Sequence, residues 1–159
     1  MKKALFSIIS LVMVIFTLVP TAFAQTEKMP EWQDLVLSQE EFNAILANNT
    51  VYTVDEDSRA SDLIAAWAIA ISKSGTNTLN IAGMTTGAGD VVKSGFKEVV
   101  VQRRASSSAS WSDYITYEDI YVDIGSYNLA KSITVPTGYQ YRVTCIHYAK
   151  KNFLSVQTI

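Results

Sequence analysis

Residues 139–149 carry the pattern that most limits what this chain can become. Tyr139, Tyr141, Val143, Cys145 and Ala149 fall on one parity, while Gln140, Arg142, Thr144 and, one step on, Lys150 fall on the other. Alternation with a period of two places one set of side chains in a core and the other in water, as in a half-buried β-strand. A helix needs apolar residues three and four apart, and this run does not supply them.

Shorter runs of the same kind precede it. Residues 96–103 read as a strand with a continuous Val99-Val100-Val101 centre, and residues 129–135 as another with Leu129, Ile133 and Val135 on one face. Residues 78–84 follow a turn at Gly75, residues 111–117 and 118–124 supply one bent or two short strands, and residues 153–158 close the chain. The run over 63–71 has two readings. Its alanines favour helix, yet Leu63, Ala65, Trp67, Ile69 and Ile71 alternate with Ile64, Ala66, Ala68 and Ala70, and strand is the preferred reading. If so, it pairs with 78–84 as a hairpin. Glycine-rich 85–95 and serine-rich 105–110 are expected to be loops.

About seven short strands with regular turn signals point to an all-β chain, an antiparallel β-sandwich of immunoglobulin or fibronectin type. The Pro136-Thr137-Gly138 turn followed by Tyr139 and Tyr141 partly matches a tyrosine corner, in which a phenol ties down a connection. The disulfide of antibody domains is missing, because Cys145 is the single cysteine. The fold must rest on its apolar core, with the thiol buried or, less simply, paired between chains.

Residues 1–24 have the organisation of an export signal: Lys2 and Lys3, an apolar run over 4–19, and Ala22-Phe23-Ala24 before the expected cut. No cysteine follows that cut to take a lipid, so the expectation is a secreted, extracellular protein with no membrane attachment after cleavage. Residues 25–57 hold eight acidic residues against Lys28 alone, a balance of −7, whereas from Ser58 onward ten Lys or Arg face seven Asp or Glu, a balance of +3. The expected organisation is therefore a signal peptide over 1–24, an acidic leader over 25–57 and a sandwich over 58–159. The leader is either a solvated tail or an arm drawn back to the body by charge. Ser38-Gln39-Glu40-Glu41 has capping-box spacing and predicts a short helix through Phe42, Ile45 and Leu46. Asn48-Asn49-Thr50 matches a glycosylation acceptor, discounted because the signal has bacterial character.

Few motifs carry chemistry. His147, the only histidine, shares a strand face with Cys145, but a zinc site needs three or four grouped ligands, so packing is the preferred reading. Gly87-Ala88-Gly89 lacks the third glycine of a dinucleotide fingerprint, and Glu118, Asp119 and Asp123 lack calcium-loop spacing. No catalytic residue, metal ligand or cofactor is predicted. Basic residues are few and scattered, which argues against nucleic acid. Aromatic residues crowd the C-terminal half, and Trp111, Tyr114, Tyr117 and Tyr121 are the candidate binding residues, since aromatic rings offer large contact area with few rotors.

Several short motifs carry a resemblance: Asp57-Ser58-Arg59-Ala60-Ser61, Ile71-Ser72-Lys73-Ser74-Gly75, Tyr141-Arg142-Val143 and His147-Tyr148-Ala149-Lys150. Over residues 55–159 the chain resembles a family of small secreted proteins of Gram-positive, clostridial-type bacteria. The resemblance implies secretion and a β-sandwich and brings no catalytic residues. Together these readings lead to a non-enzymatic binding module for an extracellular protein or glycan. A self-associating surface component and, less readily, a hydrolase are the alternatives.

Overall fold

The computed structural model describes residues 30–48, 63–152 and 155–159. The expected signal peptide, the glycosylation triplet, the acidic triplet 55–57 and the 57/58 boundary fall wholly or partly outside those residues. The elements are β1 (Gln33–Asp34), α1 (Gln39–Asn48), β2 (Ile64–Lys73), β3 (Thr78–Gly87), β4 (Lys93–Arg104), β5 (Ser112–Val122), β6 (Ser126–Thr134), β7 (Gln140–Lys150) and β8 (Val156–Thr158). They form two antiparallel four-stranded sheets, ordered β1-β6-β3-β2 and β5-β4-β7-β8. The described residues are thus mostly β and sandwich-like, with one short helix among them.

Burial follows the sequence pattern. Ile81, Leu129 and Ile133 of the first sheet meet Phe96, Val99, Val101 and Ile115 of the second in one buried cluster. β-Branched residues dominate that list, as suits a pleated surface where they lose little rotamer freedom. Val100 is also buried, so β4 is covered on both faces at its middle, as expected of a continuous valine run. The stretch 63–71 is strand, and its pairing with β3 from Ala66↔Thr86 to Lys73↔Leu79 overrides the helix preference of its alanines.

Residues 118–124 do not form a separate strand. β5 continues from Ser112 through Glu118 to Val122, with a kink at Asp119, whose φ of 56° is left-handed. Opposite it, β4 passes from Phe96↔His147 to Glu98↔Ile146, so Lys97 is an extra residue with no partner on β7. That is a β-bulge, and it bends both strands at one level. Lys97 and Asp119 form an exposed ion pair across it. Two residues before it, Gly95 lets β4 approach β5 closely. With φ of 150°, its backbone lies so close to β5 that a Cβ would strike the Ile120 carbonyl and come within 2.6 Å of the Tyr121 Cα.

The acidic segment is not a free tail over its described part. β1 pairs with β6, Trp32 stacks on Tyr117 with centroids 3.5 Å apart and planes 2° from parallel, and Phe42 of α1 is buried. Charge contributes one ion pair there, Lys131 with Asp34, and Lys131 also sits 5.5 Å over the Trp32 ring. Stacking and burial do most of the holding, because exposed pairs are screened and contribute little. The helix begins as its spacing predicts: the Ser38 N–H donates to Glu41 Oε2 at 2.9 Å, and the Glu41 N–H to Ser38 Oγ at 3.2 Å.

Replacing Gly95 by alanine forces strain and overlap together, so Gly95→Ala is expected to cost about 2–4 kcal/mol in urea unfolding. Gly89→Ala serves as the control. That glycine is also left-handed, but its Cβ meets open space, so the cost should be about 1 kcal/mol. Equal losses at the two positions would show that the approach of β4 to β5 is not tight.

Candidate functional site

Two groups of polar residues stand out, one inside the sandwich and one outside it. The inner group crosses the core. Thr85 of β3 donates its hydroxyl to the Gly95 carbonyl of β4 at 2.8 Å, and its oxygen lies 2.8 Å from His147 Nδ1 of β7. A hydroxyl has one proton to give, so Nδ1 carries the hydrogen on the imidazole side and Nε2 is left bare. Cys145 Sγ lies 3.2 Å from that Nε2, and its S–H completes the chain.

Cysteine, histidine and a third residue that orients the ring resemble a nucleophile set, but the electrostatics run the other way. Burial pushes the Cys145 thiol up to about 12 and the His147 imidazole down to about 4. A nucleophilic cysteine needs a lowered value and an electropositive surrounding. Here both groups stay neutral at pH 7, and the chain satisfies polar atoms that the core would otherwise strand. Among the described residues no three His, Cys, Asp or Glu gather as metal ligands.

The outer group lies on the far side of the second sheet. Antiparallel pairing sets Gln102 of β4 opposite Arg142 of β7, and Arg104 opposite Gln140. Two Gln-x-Arg segments, Gln102-Arg103-Arg104 and Gln140-Tyr141-Arg142, therefore lie head to tail, each arginine beside a glutamine. Arg142 Nε donates to Gln102 Oε1 at 2.6 Å, and Arg104 Nε to Gln140 Oε1 at 2.7 Å. Trp111 then joins them: its ring centroid is 4.4 Å from the Arg104 guanidinium carbon and 4.6 Å from that of Arg142. Each contact is favourable by about 0.5–1 kcal/mol, since a cation is attracted by the ring quadrupole. Gln102 Nε2 donates on to Asp113 at 2.6 Å. Among the described residues neither arginine has a carboxylate within ion-pair distance.

The four aromatic residues predicted from sequence do not converge. Trp111 belongs to this outer group. Tyr114 packs partly buried at the end of the core, where Arg103 sits 4.2 Å over its ring and 4.8 Å from that of Tyr139. Tyr117 is covered by Trp32, donates its hydroxyl to the Pro30 carbonyl at 3.1 Å, and is pushed up to about 12 by burial. Tyr121 stacks on Tyr148 at 4.5 Å beyond the bulge and donates to Asp119 at 2.7 Å, which raises its pKa. All four are half-buried, and of them Trp111 is the one that lies against the arginine pair. Sequence reading missed Arg104, Arg142, Gln102 and Gln140, although the repeated Gln-x-Arg on two strands was the signal for them.

No protein-family model, curated protein or solved structure matches this chain. Among the described residues no helix is long and apolar enough to cross a membrane.

The inner chain has a measurable consequence. His147 is held down from 6.5 to about 4, so the unfolded chain takes up a proton before the folded one does. Its contribution is present in full above pH 6.5 and is lost as pH falls toward 4, by roughly 3 kcal/mol in total. Glu41, Asp90 and Asp119 are held below the ordinary carboxylate range, so what they contribute is lost from about pH 5 downward and meets the imidazole's loss only at its lower end. Urea unfolding in steps from pH 7 to 4.5 should show stability falling with a slope that His147→Gln removes. An unchanged slope in that variant would place the titrating group elsewhere.

Proposed function

We propose that this protein is a secreted, non-enzymatic binding module of immunoglobulin or fibronectin type, acting at or beyond the cell surface on a protein or glycan partner. The signal-like 1–24 supports export, and the resemblance to small secreted clostridial-type proteins agrees with it. Strand order β2-β3-β6 against β5-β4-β7-β8 supports the sandwich type. The Tyr141 hydroxyl, which donates to the Pro136 carbonyl at 2.7 Å, supports it further.

The observation that carries a binding role is the outer arginine pair. Two like charges repel, and a fold has no need to gather them on an exposed sheet face with no carboxylate between them. Their planes are held by an indole and two carboxamides, an order that lowers the entropy lost when a ligand arrives. Among the described residues the one nucleophile-like set is buried and neutral, which favours binding over hydrolysis.

Screening the purified protein on a glycan array and against cell-wall fractions is expected to give specific retention that Trp111→Ala abolishes while the variant still unfolds cooperatively. A folded protein that retains nothing would overturn the reading.

A second reading, self-association into a surface structure, is favoured by one feature. β2 is an edge strand whose residues before Lys73 carry no charge, and such edges are templates for further strands. Sedimentation velocity over a concentration series should reveal assembly if this is so, and a monomer throughout would remove it.

A further inference from the structure

We infer that the outer face around Trp111 is a receptor for an acidic polysaccharide, one built from uronate sugars. This rests on the binding-module reading above and names the ligand of its site.

The hydrogen-bond inventory argues for an anion first. Arg142 spends Nε on Gln102, which leaves both terminal nitrogens for a ligand. Arg104 spends Nε on Gln140 and Nη1 on the Ser107 carbonyl at 3.1 Å, which leaves Nη2. A guanidinium only donates, and its terminal nitrogens match the two oxygens of a carboxylate in one plane. Because both guanidinium carbons lie against the same ring, they are no more than about 9 Å apart. Neighbouring carboxylates on one polymer can take one arginine each.

Asp113 decides what kind of anion. Its carboxylate borders the patch, tied to Gln102, and toward a ligand offering only negative charge it would simply repel. Toward a sugar it is useful, since a ring hydroxyl beside the acid group has a proton to donate to it. Gln140, exposed and with its Oε1 already accepting from Arg104, keeps Nε2 to donate to a second hydroxyl. A uronate residue carries both functions, a carboxylate and adjacent hydroxyls. The other polyanions fit less well. Nucleic acid is held along an extended basic stripe, whereas this face offers two arginines beside a carboxylate. An acidic peptide adding as a strand would need a sheet edge, whereas these residues lie on the face of β4 and β7, which are both flanked by other strands.

The test is affinity electrophoresis of the purified protein, expressed from the full chain, in gels containing polygalacturonate, a neutral dextran or poly(glycerol phosphate). Retardation is expected in polygalacturonate alone and should fade at high ionic strength. Arg142→Gln and Arg104→Gln should each weaken it at least tenfold, while Arg142→Lys, which keeps the charge and loses the fork, should fall between. Melting curves establish that each variant is folded, at exposed Arg142 as at half-buried Arg104. Wild-type retardation of the glutamine variants, or equal retardation by poly(glycerol phosphate), overturns the inference. If polygalacturonate is ignored while the array shows another specific ligand, the inference falls and the binding-module reading stands. If nothing is retained in either assay, both fall.

Discussion

The contact on which the sandwich depends is the crossing from Thr85 to His147. Two sheets packed only by aliphatic side chains can slide, because dispersion and area burial are nearly the same in neighbouring registers. A hydrogen bond between a fully buried threonine on one sheet and a buried histidine on the other has a single satisfied register. Around it the steric fit agrees. The Phe96 ring lies 4.9 Å from the imidazole and against the backbone of Gly83, where a Cβ would come within 2.8 Å of its tip. Buried polar networks are unforgiving when half satisfied, and this one is complete from the thiol through the ring and hydroxyl to the Gly95 carbonyl.

The same strands serve two purposes by parity. Along β7, Tyr141, Val143, Cys145, His147 and Ala149 turn toward the core or its margin, while Gln140 and Arg142 are exposed. Along β4, Val99 and Val101 are buried, and Gln102 and Arg104 join the outer group. The core thus sets the spacing of the outer residues. A slip of one residue between β4 and β7 would turn one strand over relative to the other, burying Arg104 and exposing Val101, or burying Arg142 and exposing Val143. The inner bridge that holds the sheets in place therefore also preserves the surface on which the arginines meet.

Legibility differed between the two layers. The strand over 139–149 was plain from its alternation, the helix start from Ser38 and Glu41, and the phenol tie from Pro136-Thr137-Gly138 and Tyr141. The site was harder. Choosing aromatic rings selected Trp111, but Tyr117 had been claimed by Trp32, which is far away in sequence, and Tyr121 by Tyr148. Exposure of an aromatic residue depends on what other segments lie over it, and local pattern contains no information about that. Charge left the acidic segment as either a solvated tail or an arm drawn to the body, whereas the structure holds its described part chiefly by an aromatic stack and a buried phenylalanine.

What the sequence determined by itself was local: which runs are strands, where they turn, and which parity of each is apolar, because backbone sterics and side-chain burial act within a few residues. What only the tertiary structure decided was partnership. Gln102 meets Arg142, Thr85 meets His147, and Trp111 lies against two guanidiniums because antiparallel pairing and sheet packing bring distant residues within hydrogen-bonding reach. Those juxtapositions depend on register, and register is set by the packing of the whole core, which no single stretch of chain contains.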